Sequence, residues 1–242
     1  MSTISPTPDA GPAHGRVGVV VVAAGSGARL GAGQPKAFVA IGGRRILDWA
    51  VAGACAVGDV AQVVLVVPGD YVAELTSTYA VSPAPGRAVV RVVAGGAHRS
   101  DSVRAGLATL DPRLDIVLVH DAARCLTPTG VYERVIAGVA AGDPAVVPGL
   151  PVVDTMKVVD PQGRVLHTPD RSSLRAIQTP QGFRRAALEQ AHARGLDASD
   201  DAALAESCGI PVRVVDGDPR AFKVTTPADL QRAEHQIAGE AT

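Results

Sequence analysis

The chain has 242 residues, enough for one large domain or two small ones with a sizeable core. Its 23 Lys and Arg against 24 Asp and Glu leave a net charge of −1. That balance excludes a general affinity for nucleic acid and makes any anion site a local one. Hydrophobic residues make up 47% and aromatics 3%, so the core has to be built from Val, Ala and Leu. Cys55, Cys125 and Cys208 are far apart in sequence and offer neither a disulfide framework nor a zinc spacing, which fits a reducing cytoplasm. No apolar run is long enough to span a membrane, so no membrane partner is expected.

Residues 1–15 are polar and rich in Pro, Gly and Ser, without the basic-then-apolar order of a signal peptide. They read as a disordered tail ahead of a single domain over residues 16–242. "VGVVVVAA" (17–24) reads as a central strand, and "RRILDWAVAGACAV" (44–57) as a helix with Ile46, Leu47, Ala50, Val51 and Ala54 on one side. Strands at 61–68 and 88–96 alternate with helices at about 70–79 and 100–110, the latter with a Ser/Asp start. "DIVLVHDAAR" (115–124) is a fourth strand ending in a polar loop. The next helix has Thr127 as its N-cap and Pro128 just inside, and "PAVVPGLPV" returns to strand. Such β-α repetition with short connections predicts an α/β fold, a mostly parallel sheet covered by helices on both faces.

The pattern changes at about residue 151. Residues 151–180 alternate in strand fashion around a "DPQGR" turn at 160–164, which predicts a hairpin projecting from the sheet. Helices at about 184–194 and 199–208, a strand "PVRVVDG" and a helix from about Thr226 close the domain.

The chemistry begins in "VVVVAAGSGARLGAGQPK" (19–36), a buried strand that breaks into a glycine-rich turn followed by Arg29 and Lys36. Gly25, Gly27 and Gly31 give GxGxxxG, one residue longer than the compact dinucleotide fingerprint, and the acidic residue expected some 20 positions on would be Asp48, inside a helix pattern. A Walker loop is not present. A turn without a ligand accounts for the glycines but leaves the two cations unexplained. Freed backbone N–H groups together with Arg and Lys suit phosphate oxygens, so the loop reads as a nucleoside triphosphate site, and "AAGSGARLGAGQPK" resembles the GxGxRx…PK signature loop of the nucleotidyltransferases.

Four further patches carry alternatives. In "GGAHRSDSVRAGL" (95–107), Arg99 and Ser102 are either ligand contacts or ordinary first-turn residues with Ser100 as cap. In "VHDAAR" (119–124), Asp121 and Arg124 fall at a strand's carboxyl end, where open α/β sheets bind ligands, or else form a buried ion pair. The charges of "DTMK" (154–157), "HTPDR" (167–171) and "QTPQGF" (178–183) sit on the hairpin, where a solvated face is the plain reading. Lys223 in "FKVTTPADL" becomes catalytic only if the fold brings it to the glycine loop.

Taken together and in this order, over nearly all of residues 17–238, these stretches resemble the 2-C-methyl-D-erythritol 4-phosphate cytidylyltransferase family of the non-mevalonate isoprenoid pathway. The resemblance implies a Rossmann-like sheet with an arm that makes an intertwined homodimer. It also implies a reaction of CTP with methylerythritol 4-phosphate to give 4-diphosphocytidyl-2-C-methyl-D-erythritol and pyrophosphate, with Mg²⁺ held largely by the triphosphate rather than by a protein cage. By the same resemblance Ala23, Ala24, Gly25, Gly27, Gly95, Arg99, Ser102, Asp121 and Ala122 would bind CTP. Arg29 and Lys36 would stabilise charge on the triphosphate. Asp121, Arg124 and Lys223 would hold the sugar phosphate, with Thr155, Arg171 and Thr179 supplied by the partner's arm. Ala37, Cys125 and Ser199 depart from the family's frequent residues, and none of them removes a charged group. Two rival readings are a cytidylyltransferase for another polyol phosphate, such as ribitol 5-phosphate, and a catalytically silent nucleotide-binding protein.

Overall fold

The computed structural model describes residues 17–25, 34–80, 88–195 and 198–240. The tail and most of the glycine loop, including Gly27 and Arg29, lie outside the described residues.

Apolar runs form the strands. β1 (Val17–Val22) is followed by the short pair β2 (Ala40–Ile41) and β3 (Arg44–Arg45), then α1 (Ile46–Cys55), β4 (Val60–Val67), α2 (Val72–Tyr79), β5 (Val89–Ala94) and α3 (Arg99–Thr109). β6 (Ile116–Asp121), α4 (Thr129–Ala140) and β7 (Ala145–Pro151) lead to the arm, which holds β8 (Val158–Val159) and β9 (Val165–His167). The chain returns through β10 (Arg175–Ile177) and β11 (Gln181–Arg184), then α5 (Arg185–Ala193), α6 (Asp201–Ser207), β12 (Val212–Asp216) and α7 (Pro227–Glu240).

Among the described residues the main sheet has 8 strands. β5, β4, β1 and β6 lie side by side and parallel. β11 pairs antiparallel with both β6 and β7, β10 extends along the same edge of β7, and β12 runs parallel on the other edge of β7. The period-2 alternation of the strands sends Val19, Val21 and Leu118 to one face, against α1 and α4. Val20, Val64 and Val119 go to the other, against α3 and α5. All five apolar residues expected on one side of α1 are buried. At roughly 1.5–3 kcal/mol for each fully buried aliphatic side chain, these two layers supply the main drive for folding. Gly106 lets α3 sit directly on β1, since a Cβ there would lie 2.4 Å from Val20 Cγ1. No helix among the described residues is long and apolar enough to cross a membrane.

Three element starts differ from the sequence reading. Arg44 and Arg45 belong to β3, because Gly42 and Gly43 at φ 58° and 76° turn the chain back onto β2 before α1 begins. α3 starts at Arg99 and is capped by Asp101, whose Oδ2 accepts the His98 N–H at 3.0 Å, so Ser100 is not the cap. α4 starts at Thr129, with Pro128 outside it. Thr127 spends its hydroxyl on the Arg124 carbonyl, at 2.7 Å.

The hairpin forms as expected. Val158 pairs with His167, and the Asp160 carboxylate accepts the N–H groups of Gln162 and Arg164 to close the turn. Its apolar residues face outward: Val153 is 79% and Leu166 63% exposed.

Candidate active site

The carboxyl ends of β1, β5 and β6 open on one side of the sheet and build a cleft of about 230 Å³. Residues 22–25, 96–99 and 121–123 line it, with Lys36, Ala37, Ser102 and Lys223. The loops after β1 and β5 meet at Gly95, where a Cβ would lie 2.5 Å from Ala24 Cβ and 2.8 Å from Ser102 Oγ. Only glycine permits that approach. Ser102 Oγ accepts the Gly96 N–H and donates to the His98 carbonyl, each at 3.2 Å, which ties the β5 exit to the first turn of α3. The helix N-terminus therefore faces the cleft, adding a partial positive charge.

A chain of charges crosses the cleft floor. Lys223 Nζ donates to Asp121 Oδ2 at 2.6 Å, and Arg99 reaches Asp121 Oδ1 at 3.5 Å. The same guanidinium pairs with Asp201 Oδ2 at 2.8 Å. Asp201 is fully buried and its Oδ1 lies 2.9 Å from His192 Nε2. Burial acts to raise the Asp121 carboxyl, but Arg99, Lys223 and Arg124 outweigh it and hold it at about 2. Burial likewise works against the charge of Arg99, and the carboxylates of Asp201 and Asp121 override it, so its pKa is raised. Beneath the floor, Thr179 Oγ1 accepts the Asp121 N–H at 3.0 Å and sits 3.0 Å from His120 Nδ1. Burial pushes His120 down to about 4, so the ring is neutral at physiological pH.

The fold thus gathers Ala23, Ala24, Gly25, Lys36, Arg99, Ser102, Asp121, Ala122 and Lys223 at one cleft, with Gly95 packed against its wall. Lys223, with no local signal of its own, is brought there across 102 positions. One expectation is corrected, and one residue stands away from the described cleft lining. Arg124 does not line the cleft: it turns NH1 to the Ala221 carbonyl (2.8 Å) and NH2 to the Ile177 carbonyl (3.2 Å). Its charge is felt at Asp121, and no bond joins its fork to that carboxylate among the described residues. Thr179 is not on the reaching part of the arm. It is 4% exposed and held under Asp121 of its own chain, because the return strand docks beside β6. Thr155 and Arg171 do sit on the exposed arm, with Arg171 NH1 donating to the Val153 carbonyl at 2.6 Å. Cys125 is buried and its thiol is pushed up to about 12 by desolvation, so it offers no nucleophile.

The sequence reading missed Asp201, His192 and His120. Asp200 caps α6 by accepting the Ala203 N–H at 2.9 Å, which leaves Asp201 beside it without a capping role. A second acid where one suffices was the available signal. Among the described residues the cleft sets three cations, Lys36, Arg99 and Lys223, against one carboxylate, which suits a polyanion. Among the described residues no cluster of three or more His, Cys, Asp or Glu is placed to hold a metal ion.

Residues 17–238 match the family described as 2-C-methyl-D-erythritol 4-phosphate cytidylyltransferase. A protein of that name from Nocardia farcinica is 52% identical over 220 residues, covering 91% of this chain and 93% of the relative. A bifunctional IspD/IspF enzyme of Clavibacter michiganensis is 52% identical over 239 residues, 98% of this chain. The chain spans 58% of that longer relative. The crystal structure of the 2-C-methyl-D-erythritol 4-phosphate cytidylyltransferase of Thermus thermophilus superposes with a TM-score of 0.71 at 36% identity, covering 91% of this chain and 98% of that one.

Proposed function

The chain belongs to the 2-C-methyl-D-erythritol 4-phosphate cytidylyltransferase family, and from that premise we propose that the cleft between β1, β5 and β6 carries out the family's reaction. The enzyme is a CTP-dependent nucleotidyltransferase of isoprenoid precursor synthesis. An oxygen of the 4-phosphate of methylerythritol phosphate attacks the α-phosphorus of CTP. Pyrophosphate leaves, and 4-diphosphocytidyl-2-C-methyl-D-erythritol forms. The observation that supports this use of the cleft is the Lys223–Asp121–Arg99 array on its floor, with Lys36 at the same opening.

Both reactants are polyanions, so the barrier lies in bringing them together and in the charge that builds at phosphorus. Lys36 and Lys223 supply fixed positive charge at the opening and on the floor. Gly95, Ala24 and Ser102 shape the wall that takes the cytidine, and Arg99 stands over it, held from behind by Asp201. The attacking phosphate is already an anion, so no general base is needed. Among the described residues Asp121 is the single carboxylate lining the cleft and is already taken by Lys223 and Arg99, so a divalent ion would be one carried in on the triphosphate. Mg²⁺ in that place offsets phosphate charge.

The arm completes the site in a homodimer. Val153, Met156, Val165 and Leu166 are exposed on it, and burying them against a second copy removes that apolar surface from water. Arg171 and Thr155 then reach the sugar-phosphate side of the partner's cleft. The cytoplasm supplies CTP and a reducing milieu for the three free thiols.

The test is pyrophosphate release with Mg²⁺ and CTP, run in parallel with methylerythritol 4-phosphate and with ribitol 5-phosphate. Release with the first alone is expected. Release with ribitol phosphate instead would keep the mechanism and change the substrate. CTP binding without release with either would leave a nucleotide binder.

A further inference from the structure

His120 is fully buried one residue before Asp121, on the face of β6 that meets α4, with its ring 5.2 Å from that of Tyr132. Its Nε2 is buried and has no hydrogen-bond partner among the described residues. An unpaired buried N–H costs roughly 1–3 kcal/mol. A leucine would fill the same space without that penalty, so the ring is a poor choice for packing alone. What it offers is Nδ1, 3.0 Å from Thr179 Oγ1.

The need for that contact comes from the sheet. β11 pairs with β6 as far as Gln181 opposite Val119, and the same register sets Thr179 opposite Asp121. Pro180 intervenes and has no N–H, and the ladder stops. The Asp121 N–H is then satisfied by the Thr179 side chain, at 3.0 Å. Oγ1 accepts there and keeps its own proton to donate, and Nδ1 of the neutral ring in its Nε2–H tautomer would take it. Burial keeps the ring neutral down to about pH 4. We infer that His120 is a positioning residue for the reaction: its Nδ1 orients the Thr179 hydroxyl, which holds the end of β6 and so aims the Asp121 carboxylate at Lys223 and the bound sugar phosphate. His120 itself touches no substrate.

This rests on the placement of the sugar phosphate beside Asp121, so the test has one arm that needs no substrate. Full-length His120→Leu, His120→Asn, Thr179→Val and Thr179→Ser are compared, together with the double variant H120L/T179V. Asparagine keeps an acceptor close to the Nδ1 position, and serine keeps the hydroxyl. Amide hydrogen exchange at Asp121, followed by NMR, is expected to speed up about 10-fold or more in H120L and T179V and to stay near wild type in H120N and T179S. In turnover, H120L is expected to raise KM for methylerythritol 4-phosphate about 10-fold with KM for CTP within about 2-fold, and the double variant to be no worse than T179V. H120N as impaired as H120L, equal effects on both substrates, or additive losses in the double variant would overturn the assignment. If H120L does not fold, H120N and the T179V/T179S pair carry the test: slow exchange in T179V, or fast exchange in H120N, would overturn it. If wild type releases no pyrophosphate with methylerythritol 4-phosphate, the reading of the reaction falls while the exchange rates still decide the role of His120.

Discussion

Lys223 Nζ lies 2.6 Å from Asp121 Oδ2, joining the turn before the last helix to the end of a central strand. The pair is asymmetric. Lys223 is 41% exposed at its side chain and Asp121 14%, so the lysine can exchange its partner for an incoming anion while the carboxylate stays fixed. Lys223→Ala is expected to lower kcat for pyrophosphate release about 100-fold or more, the scale of one preorganised electrostatic group. Steady-state kinetics with both substrates checks this. A loss below about 3-fold would take Lys223 out of the chemistry.

Asp121 of that pair and its neighbour His120 give the protein a directional acid response. The folded pKa of His120, about 4, is below its ordinary 6.5. As pH falls through 6.5 the unfolded chain takes up a proton that the native state refuses, so stability is lost between about 6.5 and 4. Asp121, at about 2 against an ordinary 3.8, adds stability that is present above that ordinary value and is lost as pH falls toward 2. Each step is worth on the order of 2–3 kcal/mol. Urea denaturation at a series of pH values is expected to show His120→Asn with a shallower decline between 6.5 and 4 and an unchanged step below. An identical upper slope in the variant would mean that the ring titrates normally in the native state.

Most of the architecture was legible because its determinants are local. Valine runs with period 2, and helices with Ile46, Leu47, Ala50, Val51 and Ala54 on one side, carry their own pattern. So did the hairpin, through Asp160 and Gly163. Three things were not legible, each for a long-range reason. The fork of Arg124 is held by the carbonyls of residues 177 and 221, whose approach only the tertiary fold creates. Thr179 was assigned to the reaching arm because nothing local says where the arm ends and the sheet resumes. Asp201 and His192 show their relation to Arg99 only once α5 and α6 have packed together.

The wall of the cleft separates a glycine needed for packing from one needed for access. Gly95 has Ala24 Cβ and Ser102 Oγ within 2.8 Å of where a Cβ would stand, whereas Gly25 has nothing within 4 Å among the described residues. Gly95→Ala is expected to lower the melting temperature by several degrees, the effect of about 1–2 kcal/mol, and to raise KM for CTP. Gly25→Ala should melt like wild type and alter only CTP binding, because its methyl group projects into the ligand's space. Thermal scans with and without CTP distinguish the two, and equal melting of G95A and wild type would contradict the close approach of the loops.

Arg124 ties the return of the arm to the loop that carries Lys223. Lysine, with a single ammonium, cannot span both carbonyls as the planar fork does. Arg124→Lys is therefore expected to destabilise the fold by about 1–3 kcal/mol and to lower kcat through a misplaced Lys223. A variant with wild-type stability and a raised KM for the sugar phosphate alone would restore Arg124 to the substrate.

The proposed service of the arm to a second subunit is tested by mixing two impaired variants. Lys36 lines the cleft of its own chain, while Arg171 stands on the exposed arm and does not line that cleft. Lys36→Ala and Arg171→Ala are each expected to lower turnover, Lys36→Ala by about 100-fold. In a mixed dimer in which each arm serves its neighbour, one cleft carries both defects and the other carries neither. Activity should rise on mixing to about a quarter of wild type, since half of the dimers are mixed and half of their clefts are intact under random exchange of subunits in equal amounts. Subunit exchange is verified by mass spectrometry of differently labelled chains. Full exchange with no recovery would place Arg171 in the cleft of its own chain or outside the site altogether.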